Sequence, residues 1–156
     1  MITPEQLARN NDEHGHQAAL FCWAAQNRVN DPRLELLFAI PNGGQRNKVT
    51  AANLVAEGVK GGVPDVFLPV AAPSQFSVPT SVYYHGLFIE MKKPGERLKR
   101  AAETKWDTGG VKPDQQKWLT LLELQGYRCR VCYHWQEAAN EIKLYLTGTG
   151  LPEFNS

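Results

Sequence analysis

The chain has 156 residues, 42% of them hydrophobic, enough to bury one core but not two, so a single domain over 1–156 is expected. No segment approaches the unbroken apolar run of roughly 20 residues that a membrane span needs, and the Asn-, Asp- and His-rich start has no signal-peptide pattern, so a soluble, cytoplasmic protein with no membrane partner is expected. The net charge of +1 implies no polyanionic partner by itself, and three cysteines, an odd number, argue against a disulfide framework.

In chain order, residues 12 to 28 predict a helix and "RLELLFAI" (33 to 40) a strand stopped by the turn "PNGG". A shorter helix is predicted over 49 to 57, ending at Gly58. Strands follow at 65 to 70 and 83 to 92, joined by a Pro- and Ser-containing connection that reads as an extended hairpin loop. An irregular segment, 94 to 112, leads to a helix that starts at Pro113, where the missing amide hydrogen costs nothing, and runs to Gly126. "YRCRVCYH" (127 to 134) predicts a strand and "WQEAANEIKLYL" (135 to 146) a closing amphipathic helix. Interspersed strands and helices indicate an α/β sheet domain with helices packed on the sheet.

Several polar features carry little chemistry. Cys129 and Cys132 form a CxxC, but on a strand that spacing sends the two side chains to opposite faces, which argues against a zinc site. His14 and His16 cannot both face one metal from a helix and read as surface residues; His85 and His134 read as isolated on strands. No Gly-rich phosphate loop and no Ser-His-Asp arrangement is legible.

Two stretches stand out. "GGVPDVFLPV" (61 to 70) sets Asp65 at the head of an apolar strand. In "GLFIEMKK" (86 to 93) the strand period of two puts Phe88, Glu90 and Lys92 on one face and Leu87, Ile89 and Met91 on the other. A carboxylate and an ammonium thus project side by side from an apolar strand, and burying both is costly unless they are paired or bound to something. A salt bridge at a solvated strand end would explain the pair alone. With Asp65 on a neighbouring strand, two carboxylates can converge at one end of the sheet, a suitable set of hard oxygen ligands for Mg²⁺ or Mn²⁺. Residues 91 to 112 also carry seven Lys or Arg against three acidic residues.

Pro64-Asp65 followed by Glu90-Met91-Lys92 resembles the PD-(D/E)xK nuclease signature. "LLFAIPNGGQR", "AEGVKGGVPDVFLP", "YHGLFIEMKKPG", a Gln three residues before a Trp, "LQGYRCRV" and "EAANEIKLYL" together look like the stand-alone VRR-NUC domain of phages and bacteria, with a core over about 12–147. The stretch "ERLKRAAETKWDTGGVK" is longer than in compact members and leaves its own path open. The resemblance implies a restriction-endonuclease-like core, a small mixed β-sheet flanked by helices. It implies a Mg²⁺- or Mn²⁺-dependent endonuclease acting on DNA, with Asp65, Glu90 and the Met91 carbonyl on the metal and Lys92 as the catalytic lysine. It also implies a Glu on the first helix, matched by Glu13, at the metal directly or through water, and a Gln near Lys92. Glu13 shares a helical face with Gln17, Leu20, Phe21 and Ala24, although Asn10-x-x-Glu13 also reads as a capping box. Of the two glutamines available, Gln115 lies on the stripe of Trp118, Leu119 and Leu122 and is the inward one.

For DNA contacts the expected residues are Arg46 and Lys48 after "PNGG", and Lys93, Arg97, Lys99 and Arg100 in the basic segment, tracking phosphates without base readout. Stand-alone members are similar to junction resolvases in working as homodimers on branched DNA, such as Holliday junctions, so a homodimer is expected. The competing readings are a sequence-specific restriction-type endonuclease, for which 156 residues leave little room for a recognition subdomain, and a non-catalytic DNA-binding module.

Overall fold

The computed structural model describes residues 1–41, 48–73, 83–100 and 102–147. A short helix α1 (Pro4–Leu7) leads into α2 (Glu13–Asn27). α2 is capped by Asp12, whose carboxylate accepts the Gly15 N–H at 2.6 Å, so the capping role considered for Asn10 belongs to Asp12. Asn10 lies instead in the single 3₁₀ turn, Ala8–Asn10, that ends α1.

The strand expected over 33 to 40 is mostly not a strand. Pro32–Leu36 is a 3₁₀ turn, and only Phe38–Ala39 pairs as a strand, β1. Asp31 accepts the Arg33 N–H at 3.1 Å and Pro32 occupies the first helical position, so a local cap overrode the β-propensity of the residues that follow. Helix α3 (Lys48–Ala56) stops before Gly58, which adopts φ +95°. β2 (Val66–Leu68) and β3 (Ala72–Pro73) precede β4 (Tyr83–Tyr84) and β5 (Leu87–Met91). The expected 83 to 92 strand is therefore broken at His85 and Gly86, where a Cβ on Gly86 would lie 2.5 Å from the Phe67 ring. Helix α4 (Pro113–Leu124), β6 (Arg128–Cys132) and α5 (Trp135–Thr147) complete the described order.

Among the described residues the main sheet runs β1-β2-β5-β6, antiparallel except for the parallel β5–β6 pair, and β3–β4 form a separate two-stranded ribbon. The sheet is mixed because α4 supplies the crossover that a parallel pair requires. Both faces of β5 are buried. Leu87, Ile89 and Met91 pack with Leu20 and Trp23 of α2 and Ala138 and Ile142 of α5, whereas Phe88 packs with Leu119 of α4, Cys129, Trp106 and Val111. Helices thus cover both faces of a small mixed sheet, the expected fold class. Cys129 and Cys132 fall in different cores, as the strand period requires, and burial raises both thiols, Cys129 to about 12, so neither is a ready thiolate. No helix among the described residues is long and apolar enough to cross a membrane.

The path of 94–112 is a fold-back. Leu98 N–H donates to Thr108 O at 2.8 Å, and the Tyr133 hydroxyl sits within hydrogen-bond distance of Thr108 O (2.5 Å) and Gly109 O (2.7 Å). Gly109, at φ +108°, is required: a Cβ there would lie 1.7 Å from Glu96 O.

Candidate active site

Strand register builds the site. β2 and β5 pair Leu68 with Leu87, Phe67 with Phe88 and Val66 with Ile89. One further step in the same register sets Asp65 opposite Glu90, and opposed residues of an antiparallel pair project to the same face. The link is direct, because the Met91 N–H donates to Asp65 Oδ2 at 2.9 Å. Both carboxylates lie where the sheet ends, with Lys92 one residue beyond β5.

Glu90 is wholly buried (0% exposed) and Lys92 nearly so (5%). One Glu90 oxygen, Oε1, is held twice, by Lys92 Nζ at 2.8 Å and by the Gln115 amide at 2.5 Å. The other, Oε2, is buried and receives no hydrogen bond, and the Asp65 and Glu90 carboxyls bond each other when one of them is protonated. Gln115 is oriented by its own carbonyl, which accepts the Lys112 N–H at 2.9 Å at the start of α4. Glu13, in the first turn of α2 and 46% exposed, reaches Lys92 Nζ at 3.8 Å. Glu13, Asp65, Glu90, Lys92 and Gln115 therefore converge, from α2, the two middle strands and α4. Gln115 acts on Glu90 rather than on Lys92.

Three carboxylates around one ammonium leave two negative charges in excess. Burial, followed by the charge of Asp65, pushes Glu90 up to about 8 despite Lys92. Burial also raises Asp65 and Glu13 from their ordinary values. Burial disfavours the Lys92 ammonium, but the charge and hydrogen bond of Glu90 outweigh it and hold the lysine protonated. The cluster thus takes up positive charge, as a proton on a carboxylate or as a cation. A divalent ion fits on two counts: the orphan Glu90 oxygen and the charge excess. Among the described residues no three His, Cys, Asp or Glu side chains are grouped to hold an ion by themselves, so the fit rests on Asp65 and Glu90, with Glu13 approaching through Lys92.

The raised carboxylate has a measurable consequence without metal. Folded Glu90 keeps its proton to about 8, whereas its ordinary value is 4.5, so between these limits the unfolded chain binds fewer protons and stability falls as pH rises. In EDTA the wild-type Tm should drop between pH of about 5 and about 8, a loss on the order of a few kcal/mol at most, and Glu90→Gln should flatten that slope. Identical slopes in the two proteins would place the proton elsewhere.

The expected DNA contacts fare differently. Arg46 lies outside the described residues, and of Lys48 only the backbone, opening α3, is described. Lys93, Lys99 and Arg100 are exposed. Arg97 is committed within the molecule: it pairs with Glu137 and lies 4.5 Å over the Tyr133 ring, tethering the fold-back to α5.

His16 is not a surface residue. It is 4% exposed and accepts the Trp135 N–H at Nδ1 (3.2 Å), which places its proton on Nε2 facing Asn11 Oδ1 (3.0 Å). Burial first, then His134, lowers its pKa; the His134 ring stands edge-on at 5.4 Å, so His134 is not isolated. The signal was present: His16 precedes Leu20 and Trp23 by one and two helical turns on the buried face. His14, in contrast, is exposed.

Fold and site together define an α/β domain of three layers with a buried carboxylate, a second one opposite it and a buried lysine at one end of a mixed sheet. Residues 5–135 match the model of the VRR-NUC domain, and the chain belongs to that family, a nuclease-type domain. A solved structure described as a VRR_NUC domain protein is similar over 87% of this chain and 88% of its own, with a TM-score of 0.62 and 23% identity, a likeness of fold. Comparison with curated proteins found no match.

Proposed function

We propose that the chain is a Mg²⁺- or Mn²⁺-dependent endonuclease that hydrolyses DNA phosphodiesters and prefers branched DNA, such as a Holliday junction. The observation that carries this reading is the Glu90 carboxylate: buried, with one oxygen shared by Lys92 and Gln115 and the other without a partner, beside Asp65. Asp65 and Glu90 would hold the ion, with the Met91 carbonyl, and Glu13 directly or through water. Such an ion, when bound, supplies Lewis-acid chemistry, polarising a phosphoryl oxygen and bringing the pKa of water from about 15.7 towards neutrality.

The remaining work falls to the chain. Lys92 keeps a positioned positive charge against the phosphoryl oxygens as negative charge grows on them, and it orients the attacking water. Gln115 fixes the Glu90 oxygen that Lys92 uses, so the ammonium is aimed before substrate arrives. Lys93, Lys99 and Arg100 contact phosphates on either side of the cut, while Arg97 holds the segment that carries them. A homodimer provides two such sites for two strands.

Incubation of purified protein with Mg²⁺, Mn²⁺ or EDTA and a panel of linear, flapped, splayed and four-way DNA tests the proposal, together with molar mass in solution. Metal-dependent cuts at branch points of two junctions sharing no sequence, with affinity falling steeply as salt rises, are expected. Cuts following a short base motif on linear duplex would make this a restriction-type enzyme. Tight binding with no cuts in either metal would make it a binding module.

A further inference from the structure

The chemistry above uses the Glu90 side of Asp65; the other side faces β1. There β1 pairs with β2, Phe38 with Phe67 and Ala39 with Val66, and the Ile40 N–H donates to Asp65 O at 2.7 Å. The register therefore lays Ile40, Asp65 and Glu90 in one row on the α4 face. Beside that row opens a cleft of about 380 Å³, within the range of small-ligand sites, roughly 300–1,000 Å³. Its walls include Ile40, Val59, Val63 and Trp118, with Lys60 and Glu57 as the charged members.

Trp118 is half-buried and follows Gln115 by one turn of α4. Its indole N–H donates to Gly61 O at 3.1 Å, which fixes the plane of the ring. Gly62, at φ +82°, lets the loop close on it: a Cβ there would stand 3.0 Å from Trp118 Cδ1 and from Asp114. The loop that delivers Asp65, the strand that pairs with it and the helix that supplies Gln115 thus also build this cleft.

We propose that the cleft takes the nucleobase adjoining the scissile phosphate, stacked on the Trp118 indole, with Lys60 on the neighbouring phosphate. The inference rests on the reading of the site as a DNA nuclease and names the feature of substrate it selects. The planar, largely apolar part of a nucleotide beside the cut is its base, and a half-buried aromatic ring offers it a stacking partner whatever its identity. A base inside a duplex must be unstacked to enter, whereas a base at a branch point is already loose, so the cleft favours branched over linear DNA.

The test places 2-aminopurine in turn at nucleotides flanking the cut of a branched substrate. With the Lys92→Ala protein, binding should change its fluorescence at one flanking position, and the added substitution Trp118→Ala should remove that change. In the otherwise native protein, Trp118→Ala should lower kcat/KM on branched DNA about tenfold or more. An abasic residue at the same position should cost the native protein a similar factor and Trp118→Ala nothing further. Trp118→Phe, which keeps a stacking face and gives up the bond to Gly61, should retain most of the activity, and Tm confirms that each variant is folded. An unchanged fluorescence signal at every position, or an abasic penalty that adds in full to Trp118→Ala, would overturn the proposal. If the native protein binds branched DNA but cuts none, the nuclease reading fails, and 2-aminopurine moved through the nucleotides around the branch point decides the cleft by the same Trp118-dependent signal; absence of any DNA binding overturns both.

Discussion

Glu90→Gln should abolish cleavage, by about a thousandfold or more, while leaving the protein folded. The substitution keeps the shape of the side chain and removes its charge. An ion that relied on the unpartnered Glu90 oxygen then loses a ligand, and with it several kcal/mol of transition-state stabilisation. Asp65→Asn should act in the same direction, because the two carboxylates face each other across one register step. Calorimetric titration with Mn²⁺ should show weaker binding in both variants. Stability reports the same carboxylate: in EDTA the Tm of Glu90→Gln should vary less than that of the native protein between a pH of about 5 and about 8, since it no longer buries a carboxylate whose pKa has been driven up. Full cleavage in EDTA, or an unchanged rate in either variant, would remove the metal from the mechanism.

Lys92→Ala should reduce the single-turnover rate by at least about a hundredfold, with DNA affinity changed much less. Lys92 is 5% exposed and its ammonium is held by Glu90, so it is placed for the reacting phosphate rather than for the duplex at large. Lys93, exposed at the next position, is the internal comparison; Lys93→Ala should weaken binding slightly and make its salt dependence shallower. Normal cleavage with poor binding in Lys92→Ala would make Lys92 a phosphate contact and leave the charge stabilisation without an owner.

Most of this site was legible because strand period and strand register are arithmetic properties of a sequence. Phe88, Glu90 and Lys92 sharing a face follows from alternation, and the separation of Cys129 from Cys132 follows from the same rule. Gln115 was separable from Gln116 because a helical stripe has one inward side. The elements that misread were those where a local hydrogen bond outcompeted a pattern. Asp31 and Pro32 nucleated a turn inside an apolar run that otherwise reads as a strand, and Asp12 took the capping position open to Asn10. Long-range partners lay beyond reach. That Arg97 would answer Glu137, that Tyr133 would seal the 94–112 fold-back, and that His16 would receive an amide from the start of α5 depend on segments far apart in the chain.

The opposition of Asp65 and Glu90 also says how such a protein can vary over generations. Their proximity is set by pairing between β2 and β5, not by the length of chain that joins those strands, so insertions and deletions there leave the acids where they are. A one-residue slip inside either strand does the reverse: it turns one carboxylate to the opposite face and empties the site at a stroke. The molecule is therefore permissive in its connections and intolerant in a handful of paired positions.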